Sequence, residues 1–259
     1  MSVVVIIPAR YGSSRLPAKA LADIGGKPMV VRVLESAREA RGVGRVLVAT
    51  DDHHIQRAVE SAGGEAVMTA RDHPSGTDRI AEVARDLDHD IVVNVQGDLP
   101  FLDPGYVESA LDALGRPPVH GESAPMSTLA TPLLEGEVDK PQVVKVVCDR
   151  HGRALYFSRR PIPGGDETDG GSEPEGLRHI GLYAYRRDFL LELASMAPTP
   201  LEKREKLEQL RVLENGYRIQ VGRVEARESM IEVDTPEDLR RVRQWLTARR
   251  ESVVRERDG

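Results

Sequence analysis

Apolar runs rich in Val and Ile alternate with segments of helical periodicity through the first hundred residues. Strands buried on both faces read as continuous apolar runs, and parallel neighbours need a crossover long enough to hold a helix. The alternation therefore predicts an α/β fold, doubly wound, with a mostly parallel sheet. Strands are expected at residues 3–8, 45–49, 65–68 and 90–95, with helices at 28–40, 52–62 and 77–88. Gly63 and Gly64 supply the stop of the second helix. The second half is less regular, with short strands expected at 126–130, 143–148, 153–157, 178–186 and 217–224 and a hairpin turn at 149–152. Residues 164–176, rich in Gly and acids, read as a surface loop or a lid. Helices are expected at 201–215 and from Pro236 to about residue 249, the latter with Thr235 as N-cap and Pro236 at the first helical position, followed by a frayed charged tail.

A chain of 259 residues can bury a substantial core. Its single cysteine, Cys148, cannot form an intrachain disulfide and reads as packing. The N-terminal apolar run is too short for a signal peptide and lacks a basic leader, and no stretch approaches the roughly 20 apolar residues of a membrane span. The expectation is a cytoplasmic protein with no membrane partner. A net charge of −6 gives no general attraction to polyanions. With no aromatic-basic stripe, no nucleic-acid partner is expected, and any bound phosphate must be held by cations at defined places.

Such a place follows the first strand. Residues 8–19 (PARYGSSRLPAK) combine Gly12, hydroxyls including Ser13, and the cations Arg10, Arg15 and Lys19. Open α/β sheets bind ligands at the carboxyl ends of their strands, where backbone N–H groups and added cations can surround phosphates. An ordinary solvated loop with incidental arginines is the competing reading. The fourth strand runs into Gln96-Gly97-Asp98, which puts a carboxylate where it can hold Mg²⁺. Asp234 is a second acidic candidate, although an acid beside a helix start also stabilises the helix dipole. Residues 73–79 (HPSGTDR) can read a base through small hydroxyl and backbone groups, or simply cap a helix through Ser75 or Thr77. In the strand at 178–186, alternation places His179, Gly181, Tyr183 and Tyr185 on one face. That face suits a polyhydroxylated ligand or plain exposure. Glu208 and Gln209 project off the leucine stripe of the helix that follows.

Taken together, IIPARYGSSRLPAK, VATDD, HPSGTDR, NVQGD, VKVV, ALYFSRRPIP, LRHIGLYAYR, PLEKREKLEQLRVLENG and VDTPEDL, in that order, make the chain resemble the 3-deoxy-manno-octulosonate cytidylyltransferases over nearly its whole length. The resemblance implies a single nucleotidyltransferase domain over residues 1–259, with residues 120–200 forming a smaller mixed substrate and dimerisation region, and a homodimer. It implies Mg²⁺-dependent transfer of CMP from CTP to a sugar acid, with pyrophosphate released. Arg10, Ser13, Arg15 and Lys19 would hold the triphosphate and Ala9 and Gly12 would also bind the nucleotide, with Arg10, Lys19 and Asp98 the catalytic set. Arg71, Ser75, Gly76 and Arg79 would contact the nucleotide, and Gln96 would lie near the substrates. Asp98 and Asp234 would hold Mg²⁺, and Arg159, His179, Tyr183, Tyr185, Glu208 and Gln209 would line the sugar-acid pocket.

Two positions depart from the family pattern. Leu99 stands where the family has glutamate, and residues 164–167 (GGDE) stand where it commonly shows an aromatic residue and an arginine. A related acid, such as an amino-substituted one, is the acceptor these changes would favour. A nucleotide-binding protein without turnover is a third reading, opposed by the retention of Arg10, Arg15, Lys19, Asp98 and Asp234.

Overall fold

The computed structural model describes residues 1–13, 15–119, 121–164, 176–227 and 231–257, without the side chains of 250, 251 and 253–257. The expected loop at 164–176, apart from its first and last residues, lies outside them, as do three of the four GGDE residues. In chain order the strands are β1 (Val3–Ala9), β2 (Arg45–Thr50), β3 (Glu65–Met68), β4 (Ile91–Asn94), β5 (Met126–Pro132), β6 (Lys145–Cys148), β7 (Ala154–Ser158), β8 (Leu177–Arg186) and β9 (Ile219–Arg223). The helices are α1 (Met29–Arg38), α2 (His53–Ser61), α3 (Gly76–Arg85), α4 (Pro104–Leu114), α5 (Arg187–Ser195), α6 (Pro200–Glu205), α7 (Gln209–Glu214) and α8 (Pro236–Arg257), with a 3₁₀ turn at Lys19–Leu21. The fold class is α/β, with parallel pairing in the N-terminal strands and antiparallel pairs later, and two compact units divide the chain.

Unit 1 comprises Met1–His89, Asn94–Gly105 and Arg227–Gly259. Its strands run β3-β2-β1, all parallel. Val4, Val5, Ile6 and Ile7 are wholly buried, so β1 is covered on both faces, at about 1.5–3 kcal/mol for each such side chain. Helix α1 presents Val30, Val33, Leu34 and Ala37 to the core at the 3–4 residue spacing of one helical face. Asp52 caps α2 by accepting from the backbone N–H groups of His54 and Ile55, and Ser75 caps α3 by accepting from that of Asp78. Beyond β4 the chain runs beside β1, with Val95 N–H donating to Ile6 O at 3.3 Å. Gly97 makes this approach possible, because a Cβ there would sit 3.0 Å from Pro8 O.

Unit 2 comprises Asp90–Val93 and Tyr106–Ala226. Its strands run β4-β8-β5-β9, with β6 pairing both β7 and β8. The hairpin at 149–152 closes as expected: Gly152 takes the left-handed conformation (φ 75°) and its N–H donates to Asp149 O at 3.0 Å. β8 is irregular. Thr128 opposes Tyr183 while the next residue, Leu129, opposes Ile180, so Gly181 and Leu182 bulge out of register.

Two expectations need correction, and one helix, α4, had not been expected. The helix expected at 201–215 is two helices, because Lys206 takes the left-handed conformation (φ 56°) and Leu207 N–H returns to Glu202 O, a helix-ending bond that also buries Leu207. Helix α8 runs to Arg257 rather than about 249, since residues 237–257 contain neither Gly nor Pro to stop it. Helix α4 was readable in Asp103-Pro104, an N-cap followed by the residue favoured at the first helical position; Asp103 accepts from Gly105 N–H at 2.8 Å. Among the described residues, no helix is long and apolar enough to cross a membrane.

Candidate functional site

Within unit 1, the carboxyl end of β1, the loop after it, the start of α3 and the segment after β4 surround one cavity of about 340 Å³. That volume falls in the ~300–1,000 Å³ range of ligand pockets. Of the residues expected to hold the nucleotide and metal, the cavity collects Ala9, Arg10, Ser13, Arg15, Lys19, Ser75, Gly76, Arg79, Gln96, Asp98 and Asp234. Gly12 and Arg71 are not among its lining residues, and both are exposed. The lining also includes Pro8, His73, Pro74 and Gly97, which belong to the motifs without an expected role of their own, and Ala20, which lies just past the basic loop. Leu99 is buried and is not part of the lining.

Asp98 and Asp234, 136 positions apart, meet at a single cation. Lys19 Nζ lies 3.0 Å from Asp98 Oδ2 and 2.9 Å from Asp234 Oδ1, and Arg15 adds a contact of 3.0 Å to Asp234 Oδ2. Burial acts against the charged form of Lys19, but the two carboxylates outweigh it and hold the ammonium above its usual pKa range. Backbone ties set this geometry. Val233 N–H donates to Asp98 O at 3.0 Å, which joins the two acidic segments. Asp238 Oδ2 accepts from the N–H groups of Asp234 (3.2 Å) and Thr235 (2.9 Å), fixing the turn into α8. Ala18, just before Lys19, is held in the left-handed region (φ 52°), a strained state for a residue with a side chain.

Arg79 is part of the cavity wall as well as its lining. It is almost fully buried, donates to Thr69 Oγ1 and Ala70 O, and pairs with Asp51 Oδ2 at 3.1 Å. The other oxygen of Asp51 lies 3.4 Å from Tyr11 N, so one carboxylate links α3 to the basic loop. Two converging carboxylates suit Mg²⁺, which binds few protein groups and keeps water and phosphate oxygens as its remaining ligands. Among the described residues, no cluster of three or more His, Cys, Asp or Glu side chains provides an all-protein cage.

The residues expected to hold the sugar acid all lie in unit 2. On β8 the rings of His179, Tyr183 and Tyr185 form a row, with centroids 5.6 and 6.0 Å apart. Tyr185 is buried, while Tyr183 is half-buried and its hydroxyl lies 3.5 Å from Gln209 Oε1. Gln209 Nε2 is buried and, among the described residues, has no hydrogen-bond partner. His179 is desolvated, which pushes its pKa down to about 3 and keeps it neutral. Arg159 donates from Nε to Glu205 O and from Nη1 to Pro141 O, both at 3.1 Å, and the buried Lys145 donates to Arg159 O at 2.7 Å. Glu208 opens α7, 3.8 Å from Arg211. Burial pushes the Cys148 thiol up to about 11, which disfavours the reactive thiolate.

Comparison with known proteins shows the family. The family model described as cytidylyltransferase matches residues 4–219. The 3-deoxy-manno-octulosonate cytidylyltransferase of Syntrophotalea carbinolica is 52% identical over 253 residues, covering 95% of this chain and 99% of that protein. The protein of the same name from Geotalea uraniireducens is 51% identical, with 95% and 99% covered. Among solved structures, a CMP:2-keto-3-deoxy-manno-octonic acid synthetase in complex with CTP superposes with a TM-score of 0.89 at 42% identity, covering 96% of this chain and all of that one. A 4-diphosphocytidyl-2C-methyl-D-erythritol synthase from Anaerococcus prevotii, at 15% identity and a TM-score of 0.59, shares the fold. With a cation-lined cavity at the end of β1 and relatives about half identical over 95% of its length, the chain belongs to the 3-deoxy-manno-octulosonate cytidylyltransferase family.

Proposed function

We propose that the protein transfers CMP from CTP to the anomeric hydroxyl of 3-deoxy-manno-octulosonate, releases pyrophosphate, and requires Mg²⁺. The observation that carries this reading is the convergence of Asp98 and Asp234 on one cation inside a cavity lined by Arg10, Arg15 and Lys19. The sugar acid's 2-hydroxyl attacks the α-phosphorus in line, and the pyrophosphate departs towards the basic loop. No protein nucleophile is needed, because positioning and charge neutralisation supply most of the acceleration in such transfers. Arg10 and Arg15 neutralise the triphosphate. Lys19 leaves the carboxylates and follows the leaving group, while Ser75, Gly76 and the wall built by Arg79 shape the base end of the cavity. Asp98 and Asp234 would hold Mg²⁺, which would supply positive charge to offset the negative charge that develops during transfer. His179, Tyr183 and Gln209 bind the acceptor's hydroxyls, and Arg159 and Glu208 complete that surface.

The burial of Leu99 supports the unmodified octulosonate as acceptor, because this departure from the family pattern changes packing and leaves the lining of the cavity alone. We further read the enzyme as a cytoplasmic homodimer with no nucleic-acid or membrane partner. The test is pyrophosphate release with CTP, Mg²⁺ and a panel of 3-deoxy-manno-octulosonate, its 8-amino analogue and sialic acid, each with and without chelator. Chelator-sensitive release with the first acid is expected. Release with another acid only would replace the acceptor, and silence across the panel would overturn the activity.

A further inference from the structure

We infer that Thr128 is a positioning residue that locks His179 as its Nε2–H tautomer, so that Nδ1 meets the ligand as a hydrogen-bond acceptor. The bulge in β8 is the origin of this arrangement. By slipping Gly181 and Leu182 out of register, it turns the carbonyls of Ile180 and Leu182 towards the opposing Thr128. The Thr128 side chain is wholly buried, with Oγ1 3.1 Å from Ile180 O, 2.9 Å from Leu182 O and 2.9 Å from His179 Nε2. A hydroxyl has one proton to donate, and carbonyl oxygens only accept. The Thr128 proton therefore goes to the carbonyls, and its oxygen is left to accept. A bare Nε2 at 2.9 Å would set lone pair against lone pair, so Nε2 carries the proton. His179 is 8% exposed and its desolvation excludes a second proton, which leaves Nδ1 with an open lone pair.

An independent observation fits a ligand of matching polarity. On the other side of Tyr183, Gln209 Nε2 is a buried donor with no partner among the described residues. An unmet buried donor is costly and calls for a ligand acceptor. An acceptor at His179 and a donor at Gln209, separated by the half-buried Tyr183 ring, match neighbouring hydroxyls, one donating and one accepting. This assignment rests on the reading that the acceptor substrate lies against β8, whereas the tautomer itself does not.

The test has two arms. In ¹⁵N-histidine-labelled enzyme without substrate, two-bond ¹⁵N–¹H spectra are expected to show His179 protonated at Nε2. Thr128→Val is expected to give a tautomer mixture and Thr128→Ser to retain Nε2–H. In kinetics with 3-deoxy-manno-octulosonate, Thr128→Val is expected to raise the KM for the acid roughly tenfold, the worth of one ligand hydrogen bond, with kcat and the KM for CTP little changed. Thr128→Ser is expected to rescue it. An Nδ1–H tautomer in the unaltered enzyme overturns the inference even if Thr128→Val fails to fold, as does an unchanged acid KM in a folded Thr128→Val. The Nε2–H tautomer in an enzyme that uses no sugar acid would support the positioning role and overturn the proposed function alone.

Discussion

Replacing Lys19 by methionine tests how the acidic pair is kept ready for a divalent cation. The ammonium lies about 3 Å from one oxygen of each carboxylate. At that distance a unit charge pair is worth about 1.4 kcal/mol in bulk water and about 5.5 kcal/mol at an effective dielectric constant near 20. The side chains of Lys19, Asp98 and Asp234 are 19, 26 and 32% accessible, so the site lies between those limits. Desolvation cancels much of the gross attraction, leaving a net of about 1.5–3 kcal/mol for a charged hydrogen bond. A divalent ion entering between Asp98 and Asp234 must displace Lys19 and forfeit at least one such contact. Lys19→Met, which removes the competitor, should therefore bind Mn²⁺ at least about tenfold more tightly in the absence of nucleotide. Titration followed by the loss of free Mn²⁺ electron paramagnetic resonance signal reads this directly. Thermal melts of the variant should also gain more from added Mn²⁺ than those of the unaltered enzyme. Turnover should fall sharply, because Lys19 no longer follows the leaving phosphates. Equal or weaker Mn²⁺ binding by Lys19→Met would refute the competition argument and with it the assignment of Asp98 and Asp234 as partners of one ion.

Further predictions follow from single residues. Asp98→Asn should lower pyrophosphate release by roughly 10²-fold or more while the circular dichroism spectrum stays unchanged; near-normal turnover would remove Asp98 from the metal site. The folded pKa of His179, about 3, lies below its unfolded value of 6.5, so the unfolded chain binds more protons between those limits. Stability from this group is complete above pH 6.5 and declines by up to about 1.4 kcal/mol per pH unit as the medium is acidified. In urea denaturation between pH 7 and pH 5, the unaltered protein should lose on the order of 2 kcal/mol more than His179→Gln, and parallel losses would contradict the buried neutral imidazole. Lys206→Gly should relieve a left-handed residue and raise the melting temperature by about 2–4 °C, after allowance for glycine's greater freedom in the unfolded chain. A lower melting temperature by calorimetry would show that the Lys206 side chain stabilises the break between α6 and α7 by contacts of its own.

Local regularities were readable without coordinates wherever one residue or one period determines the outcome. The two-sided burial of β1 follows from five consecutive apolar residues, Val3–Ile7, and the starts of α2, α3 and α8 follow from Asp52, Ser75 and Thr235 as caps. The cation-rich loop after β1 was legible because parallel α/β topology sends the carboxyl ends of strands to the ligand side. Other features needed the folded chain, because they arise from contacts between segments remote in sequence. Lys19 joins Asp98 and Asp234 across intervals of 79 and 215 residues, and no local pattern shows that two acids so far apart share one cation. The left-handed Lys206 splits a helix that the leucine spacing reads as continuous, since the long-range burial of Leu207 and Leu210 overrides the propensity of an apparently unbroken segment. Thr128 gave no signal in the sequence at all, since its part is created by a register slip in a strand whose partner residues lie 51 to 54 positions away, which turns two carbonyls and an imidazole onto one hydroxyl. The chain order of residue types thus determined the elements, the ligand end of the parallel strands and the kind of chemistry. Which distant charges pair, and which proton each buried polar group carries, was decided by tertiary packing, because both depend on distances that local sequence does not encode.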